Sequence, residues 1–374
     1  MSDLPARSEG PAETIRLRPT LESLPAYVAG KPAADDGIRR YKVSSNESHL
    51  PPIPAVRDAA IAAMTSSNRY PDAAAQELRA ALGEKHGVEP SQIALSTGSV
   101  AVTGDLVRAL VGEGDEVVFA WRSFEAYPIL VGSHGGTPVQ VPLTAAGEHD
   151  LDAMAAAITD RTRLVLLCTP NNPTGPSLST EQVEEFLATV PEHVVVGIDE
   201  AYREFHDPAT VLGTAGLFRR HGNVVLLRTF SKLQGLAGLR IGYAVAHPRL
   251  ARALGQVTVP FGAAAPAQAA ALASLEPEAA QELERRAAWI REERSRVLAA
   301  LAAQGWELPV SQGNFVYFPL GERSAEFAEF ADARGLVLRA YGADGVRATI
   351  AEQEANSLLI EIAGEWIAQE RRGA

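Results

Sequence analysis

Residues 224–242 read VVLLRTFSKLQGLAGLRIG. An apolar run, Val224–Arg228, gives way to two hydroxyls, Thr229 and Ser231, and then to Lys232. A glycine-rich stretch follows, with Arg240 eight residues after the lysine, and a second apolar run, Ile241–Ala246, comes next. Short runs that are apolar on both faces are what strands of a buried, mostly parallel sheet look like. A lysine just past such a strand lies near the C-terminal edge of the sheet, where open α/β sheets place their ligands. Desolvated there, its pKa falls and it becomes a nucleophile able to form a Schiff base. The neighbouring hydroxyls and the arginine suit a phosphate dianion. An exposed loop lysine is the ordinary alternative, and the flanking strands, glycines and arginine argue against it.

Other apolar runs end in the same way. In IDEAY (198–202) Asp199 closes the run VVVGI. A carboxylate at that point is costly unless paired, and a protonated heteroaromatic nitrogen would repay it. Tyr202, three residues on, could bond the same ligand; a helix N-cap aspartate beside a surface tyrosine is the alternative. TPNNPTG (169–175) follows another run and presents the Asn172 amide at the sheet edge, although as a bare turn it is weakly specific. STGSV (96–100) is a small-residue turn entering a helix, and N–H groups at a helix N-terminus bind phosphate. Phe124, in WRSFEAYP, follows the run Glu116–Ala120 and could stack on a flat ring or fill the core. Arg347, in GVRATI, alternates within a strand and is a natural bidentate partner for a carboxylate if it faces inward.

Seven strand candidates fall between residues 93 and 246: Ile93–Ser96, Glu116–Ala120, Pro138–Leu143, Arg163–Cys168, Val194–Ile198, Val224–Arg228 and Ile241–Ala246. Helical patterns alternate with them, and 53–65, 73–86 and 99–111 are expected helices. Seven runs in about 150 residues argue for one large α/β domain. After residue 265 the chain turns Ala/Glu/Arg-rich and helical to residue 304. Strands are expected at Asn314–Phe318, Leu336–Arg339 and Val346–Ile350, with a last helix at about 352–370. A further strand-like segment is Arg40–Ser44. The expected organisation is a flexible arm (1–14), a large domain (46–265), and a smaller α+β domain built from 15–45 and 266–374.

The 374 residues suffice for a core without covalent staples. With 46 Asp+Glu against 34 Lys+Arg, the net charge is −12. No basic block breaks that balance, so a nucleic-acid surface is disfavoured, whereas a local cationic pocket is not. The single cysteine, Cys168, excludes an intrachain disulfide and Cys-rich zinc sites and reads as a small buried hydrophobe. No 18-residue apolar run is present to span a membrane. The polar, Pro-containing N-terminus lacks the apolar core of a signal peptide. A cytoplasmic protein is therefore expected, without metal, membrane or nucleic-acid partners.

The ordered set of anion cradle, aromatic, Asn-Pro-Thr-Gly, Asp-Glu-Ala-Tyr and Ser-Lys with Arg eight later resembles the fold-type-I pyridoxal-phosphate aminotransferases of class I/II. Within them it is similar to the histidinol-phosphate/aromatic branch, from about residue 15 to the C-terminus. The resemblance implies pyridoxal 5′-phosphate as cofactor, with Lys232 as the Schiff-base lysine and Asp199 facing the pyridine nitrogen. It implies Tyr202 and Asn172 on the ring's 3-oxygen, Phe124 stacked on the ring, and Ser99, Val100, Thr229, Ser231 and Arg240 as the phosphate cradle. Tyr70, in NRYPD, matches a tyrosine that reaches the cofactor of a neighbouring subunit, which implies a homodimer. Arg347 matches the clamp on the substrate α-carboxylate, and Tyr27, Asn46 and Arg339 match positions near the substrate side chain.

The chain departs from its resemblance at Asn46-Glu47-Ser48-His49, where relatives read Asn-Glu-Asn-Pro, at Ala351 in place of a glycine, and at Gln353 in place of Glu. These departures bear on specificity. The implied reaction is amino transfer between an aromatic amino acid and 2-oxoglutarate, with histidinol phosphate as the alternative donor; Arg339 could pair with its phosphate. A decarboxylase of the same fold would keep Lys232 and Asp199 but release CO₂ without an amino acceptor. A nicotinamide dehydrogenase lacks its Gly-x-Gly-x-x-Gly turn here.

Overall fold

A computed structural model describes residues 16–22, 24–26 and 40–373. The flexible arm expected at 1–14 and the candidate Tyr27 lie outside the described residues. Twelve strands occur among those described: β1 Tyr41–Lys42, β2 Ile93–Ser96, β3 Glu116–Trp121, β4 Thr137–Pro142, β5 Thr162–Cys168, β6 Val195–Asp199, β7 Val224–Thr229, β8 Gly242–Val245, β9 Phe315–Phe318, β10 Leu336–Val337, β11 Arg339–Ala340 and β12 Val346–Thr349.

The seven strands β2 to β8 form one sheet in the order β2-β8-β7-β6-β5-β3-β4. Pairs β3/β4, β3/β5, β5/β6 and β6/β7 are parallel, while β8 runs antiparallel to both β7 and β2. The sheet is buried on both faces, which is why its strands read as continuous Val/Ile/Leu runs. Phe119, Leu164, Leu166, Val225 and Leu227 pack on one side with the helices Ser99–Leu110 and Ala126–Ser133; Val118, Val165, Val196, Ile198 and Leu226 pack on the other. The parallel strands β3, β5, β6 and β7 end at one edge, so Trp121, Cys168, Asp199 and Thr229 open onto a common rim.

The C-terminal region builds smaller sheets. Strands β11, β12 and β9 form a three-stranded antiparallel sheet, and β1 pairs in parallel with β10. Behind them the long helix Pro277–Gln304 packs on Gln353–Gly373.

Three local expectations change. The strand expected at Leu336–Arg339 is two strands, because the chain changes partner at Leu338: β10 joins β1 and β11 joins β12. The helical stretch 266–304 is two helices, Ala265–Ala273 and Pro277–Gln304. Pro277 cannot donate to the preceding turn, so it opens a new helix instead of continuing the old one. The helix expected from residue 73 starts at Gln76. The Asp72 carboxylate accepts the Ala74 and Gln76 N–H groups and holds the preceding residues in a turn.

Candidate active site

The rim of the large sheet encloses a cavity of about 300 Å³. Ser99, Val100, Phe124, Asn172, Asp199, Tyr202, Thr229, Ser231, Lys232 and Arg240 all line it, together with Ser45, Glu47, Cys168, Ala201 and Ala237. Ten residues singled out from the sequence, spread over more than 140 positions, therefore meet in one hollow.

Lys232 sits on the turn after β7, and its Nζ donates to the Ser45 carbonyl at 3.4 Å, 5.5 Å from the centre of the Tyr202 ring. Burial lowers its pKa to about 8, with Arg347 and Arg240 adding to the effect. The amine is therefore about half neutral near pH 8, which a surface lysine is not.

Asp199 ends β6. Its Oδ2 accepts the Tyr127 hydroxyl at 2.6 Å and its Oδ1 accepts the Ala201 N–H at 3.2 Å. Burial pushes its pKa up, against the pull of those two donors. Among the described residues no cation lies within ion-pair distance of it. A buried carboxylate that faces the cavity with no cation at ion-pair distance fits a ligand that brings a protonated nitrogen.

The anion cradle has a structural signature. The helix Ser99–Leu110 has no side-chain cap, so its first-turn N–H groups are open at the cavity. Gly98 holds φ +95°, and a Cβ there would come within 2.6 Å of the Arg240 guanidinium; one on Gly242 would come within 2.5 Å of the Ser99 nitrogen. Both glycines keep backbone and guanidinium close around a space that a side chain would fill. Arg240 itself has φ +53° and donates to the carbonyls of Ala237 at 2.9 Å and Thr97 at 3.4 Å, which aims it across that turn. With Ser231 and Thr229 lining the same cavity, the cradle fits a phosphate.

Arg347, on β12, brings the small sheet to the site. It donates to Asn172 Oδ1 and to the Ser44 carbonyl, the latter at 2.8 Å. Its Nε is buried without a partner, and among the described residues no carboxylate faces it. Asn46, with φ +52°, donates to the Tyr202 hydroxyl at 3.1 Å and accepts from Thr349 at 3.0 Å, tying this sheet to the turn after β6. Asparagine tolerates that left-handed backbone better than most residues.

Arg339 lies opposite Arg347 on β11 and forms an ion pair with Glu125 at 2.7 Å. Its guanidinium is 5.4 Å from the Tyr341 ring and that of Arg347 is 5.5 Å from the same ring. Tyr70 is not in this chain's cavity: it is 81% exposed and stacks on Phe261 at 4.5 Å.

Of the departures, His49 packs against Trp289 at 5.1 Å. Ala351 is buried in a turn whose N–H and carbonyl are both held by Asn356. Gln353 opens the last helix. The Cys168 thiol, pushed up to about 12 by burial and then by Asp199, is no nucleophile at neutral pH.

Ser45, Tyr127 and Glu125 are polar residues at the site that the sequence did not single out. Tyr127 carries the only hydroxyl within the apolar helix start AYPILV. A buried tyrosine there needs a partner, a legible signal in retrospect. Glu125 had none, because its partner lies 214 residues away.

The profile of the family described as aminotransferase class I and II matches residues 41–356. A Streptomyces coelicolor protein named aromatic amino acid aminotransferase is 50% identical over 351 residues, 94% of this chain and 97% of the relative. One of the same name from Rhodococcus opacus is 51% identical over 354 residues, covering 94% and 96%. Among solved structures, the histidinol-phosphate aminotransferase of Sinorhizobium meliloti in complex with pyridoxal-5′-phosphate superposes with a TM-score of 0.84 at 29% identity, over 95% of this chain and 98% of that one.

Proposed function

Since the chain belongs to the class I and II aminotransferases and is a pyridoxal-phosphate-dependent enzyme of fold type I, we propose that it moves the amino group between an aromatic amino acid of phenylalanine or tyrosine type and 2-oxoglutarate. The observation that carries the donor choice is the Arg339–Glu125 ion pair at 2.7 Å. A phosphorylated side chain would have to displace or face the Glu125 carboxylate, whereas an aromatic ring needs no cation. The names of the relatives at about 50% identity support the same reading. The superposition on a histidinol-phosphate aminotransferase keeps that donor as the alternative.

Pyridoxal 5′-phosphate supplies an electron sink for the charge left when the α-proton of an amino acid is removed. The residues that would hold it are Arg240, Ser231, Thr229 and the Ser99–Val100 turn at the phosphate, Asp199 at the ring nitrogen, Asn172 and Tyr202 at the ring oxygen, and Phe124 over the ring. Lys232, partly neutral near pH 8, is the base that takes the substrate's α-proton and returns it. Arg347, bonded to neutral oxygens of Asn172 and Ser44, is the cation that would hold the substrate α-carboxylate, and Asn172 fixes the guanidinium plane.

Asn46 and Arg339 stand near the substrate side chain in this reading, as Tyr27 would. The exposed, stacked Tyr70–Phe261 pair supports a homodimer in which Tyr70 serves the neighbouring subunit's cradle. Residues 46–265 act as the cofactor-binding domain and 15–45 with 266–374 as the smaller one. Among the described residues no helix is long and apolar enough to cross a membrane, and a cytoplasmic location fits this role. The test is kcat/KM for phenylalanine, tyrosine and histidinol phosphate with 2-oxoglutarate as acceptor. Higher kcat/KM with histidinol phosphate overturns the donor choice, and CO₂ release without an acceptor overturns amino transfer.

A further inference from the structure

We propose that Tyr127 is a positioning residue that fixes the Asp199 carboxylate in the plane and charge state needed to face the ring nitrogen of the cofactor. The inference rests on the pairing of Asp199 with that nitrogen proposed above. Tyr127 opens the helix Ala126–Ser133 and is fully buried. Its ring is held edge-on by Phe119 of β3 at 5.6 Å and by Phe124 at 5.5 Å and 89°. Those contacts aim its hydroxyl at Asp199 Oδ2, and the 2.6 Å distance is that of a charge-assisted bond. One side chain thus touches both the aromatic that lines the cavity and the carboxylate at its floor.

The environment of Asp199 explains why a donor is needed. Cys168 approaches it from β5, Glu200 follows it on its own turn, and Lys232 lies across the cavity. Burial and the Glu200 charge favour the protonated carboxyl; the Tyr127 hydroxyl and the Ala201 N–H favour the carboxylate. Phenol to carboxylate is also a one-way arrangement. Burial and the neighbouring carboxylate hold the Tyr127 hydroxyl well above its ordinary pKa, so it stays a donor across the working range. Without it, the shared proton shifts from the ring nitrogen toward Asp199. A less cationic ring then holds its remaining exchangeable proton more tightly, and the visible band of the loaded enzyme titrates at higher pH.

Tyr127→Phe deletes one oxygen and keeps the ring. We expect the cofactor's equilibrium dissociation constant to rise about 10- to 100-fold, the range of one lost charged hydrogen bond, and the band's transition to move up in pH. 3-Fluorotyrosine at position 127, a stronger donor of nearly the same shape, should move it down, which preserves the test if the Phe variant does not fold. In an Asp199→Asn background, Tyr127→Phe should add no further shift. A Phe variant with unchanged transition, whatever its thermal stability, overturns the positioning role, as does an additive shift in the double variant. Failure of the underlying pairing looks different: Asp199→Asn alone would then leave band and turnover unchanged.

Discussion

Asp199 and Glu200 are consecutive, buried carboxylates at the end of β6, and they lead different lives. Glu200 meets Arg228 of β7 at 2.8 Å, off the line of a hydrogen bond, and Arg203 at 2.8 Å. Glu204 adds a longer contact to Arg228 at 3.8 Å. Asp199 points to the other face of the strand, into the cavity, with a phenol and one N–H as its donors. The buried arginines repeat the contrast. Arg228 is held in its charged form by carboxylates despite its burial, whereas Arg347 has a carbonyl, an amide oxygen and an unpartnered Nε. Charge with its counter-charge inside the fold is structure. Charge buried without one carries a standing cost that only a ligand relieves, which is where chemistry is to be sought.

The contrast can be tested from the largest effect downward. Lys232→Ala should lose roughly four orders of magnitude in turnover together with the visible band of the loaded enzyme; a variant keeping both would remove the site's base. Glu200→Gln leaves Arg228 facing one fewer carboxylate and should cost about 3–5 kcal/mol of stability in denaturant unfolding, with turnover per folded molecule little changed. Asp199→Asn should do the reverse. Its folded-state pKa lies above the unfolded value, so ionisation at neutral pH penalises the native cofactor-free protein, and the amide removes that penalty. Unfolding should therefore be unchanged or improved while turnover falls about a hundredfold or more. If Asp199→Asn destabilises as much as Glu200→Gln does, the two carboxylates do not differ as argued.

Arg347→Lys keeps the charge but loses the planar fork, and should raise the amino-acid KM about 10-fold or more, measured in steady-state assays. Glu125→Gln should give the smallest change: by removing one carboxylate from Arg339 it should improve kcat/KM for a phosphorylated donor up to about fivefold, the reach of a rim ion pair, with little effect on phenylalanine.

Much of this was legible along the chain because a parallel sheet writes its site into sequence. Each strand is a short apolar run, and the residue that follows stands on the rim. Lys232, Asp199, Asn172 and the 96–100 turn could be found that way, and the cavity is lined by the first three and by Ser99 and Val100 of the turn. Tyr127 and Glu125 were not found, though both lie in the quoted segment WRSFEAYP. Nothing local tells a core hydroxyl from one that reaches β6, and the partner of Glu125 is 214 residues distant.

By itself, then, the sequence determined the strands, their rim residues and the type of chemistry, because those follow from local period and residue type. Only the tertiary structure decided which partner each charge receives. Strand order brought Arg228 to Glu200 and left Asp199 facing a cavity. The crossing of β12 brought Arg347 to Asn172, and that of β11 engaged Arg339 with Glu125. Pairing between buried charges depends on contacts made across the fold, and no sequence spacing encodes them.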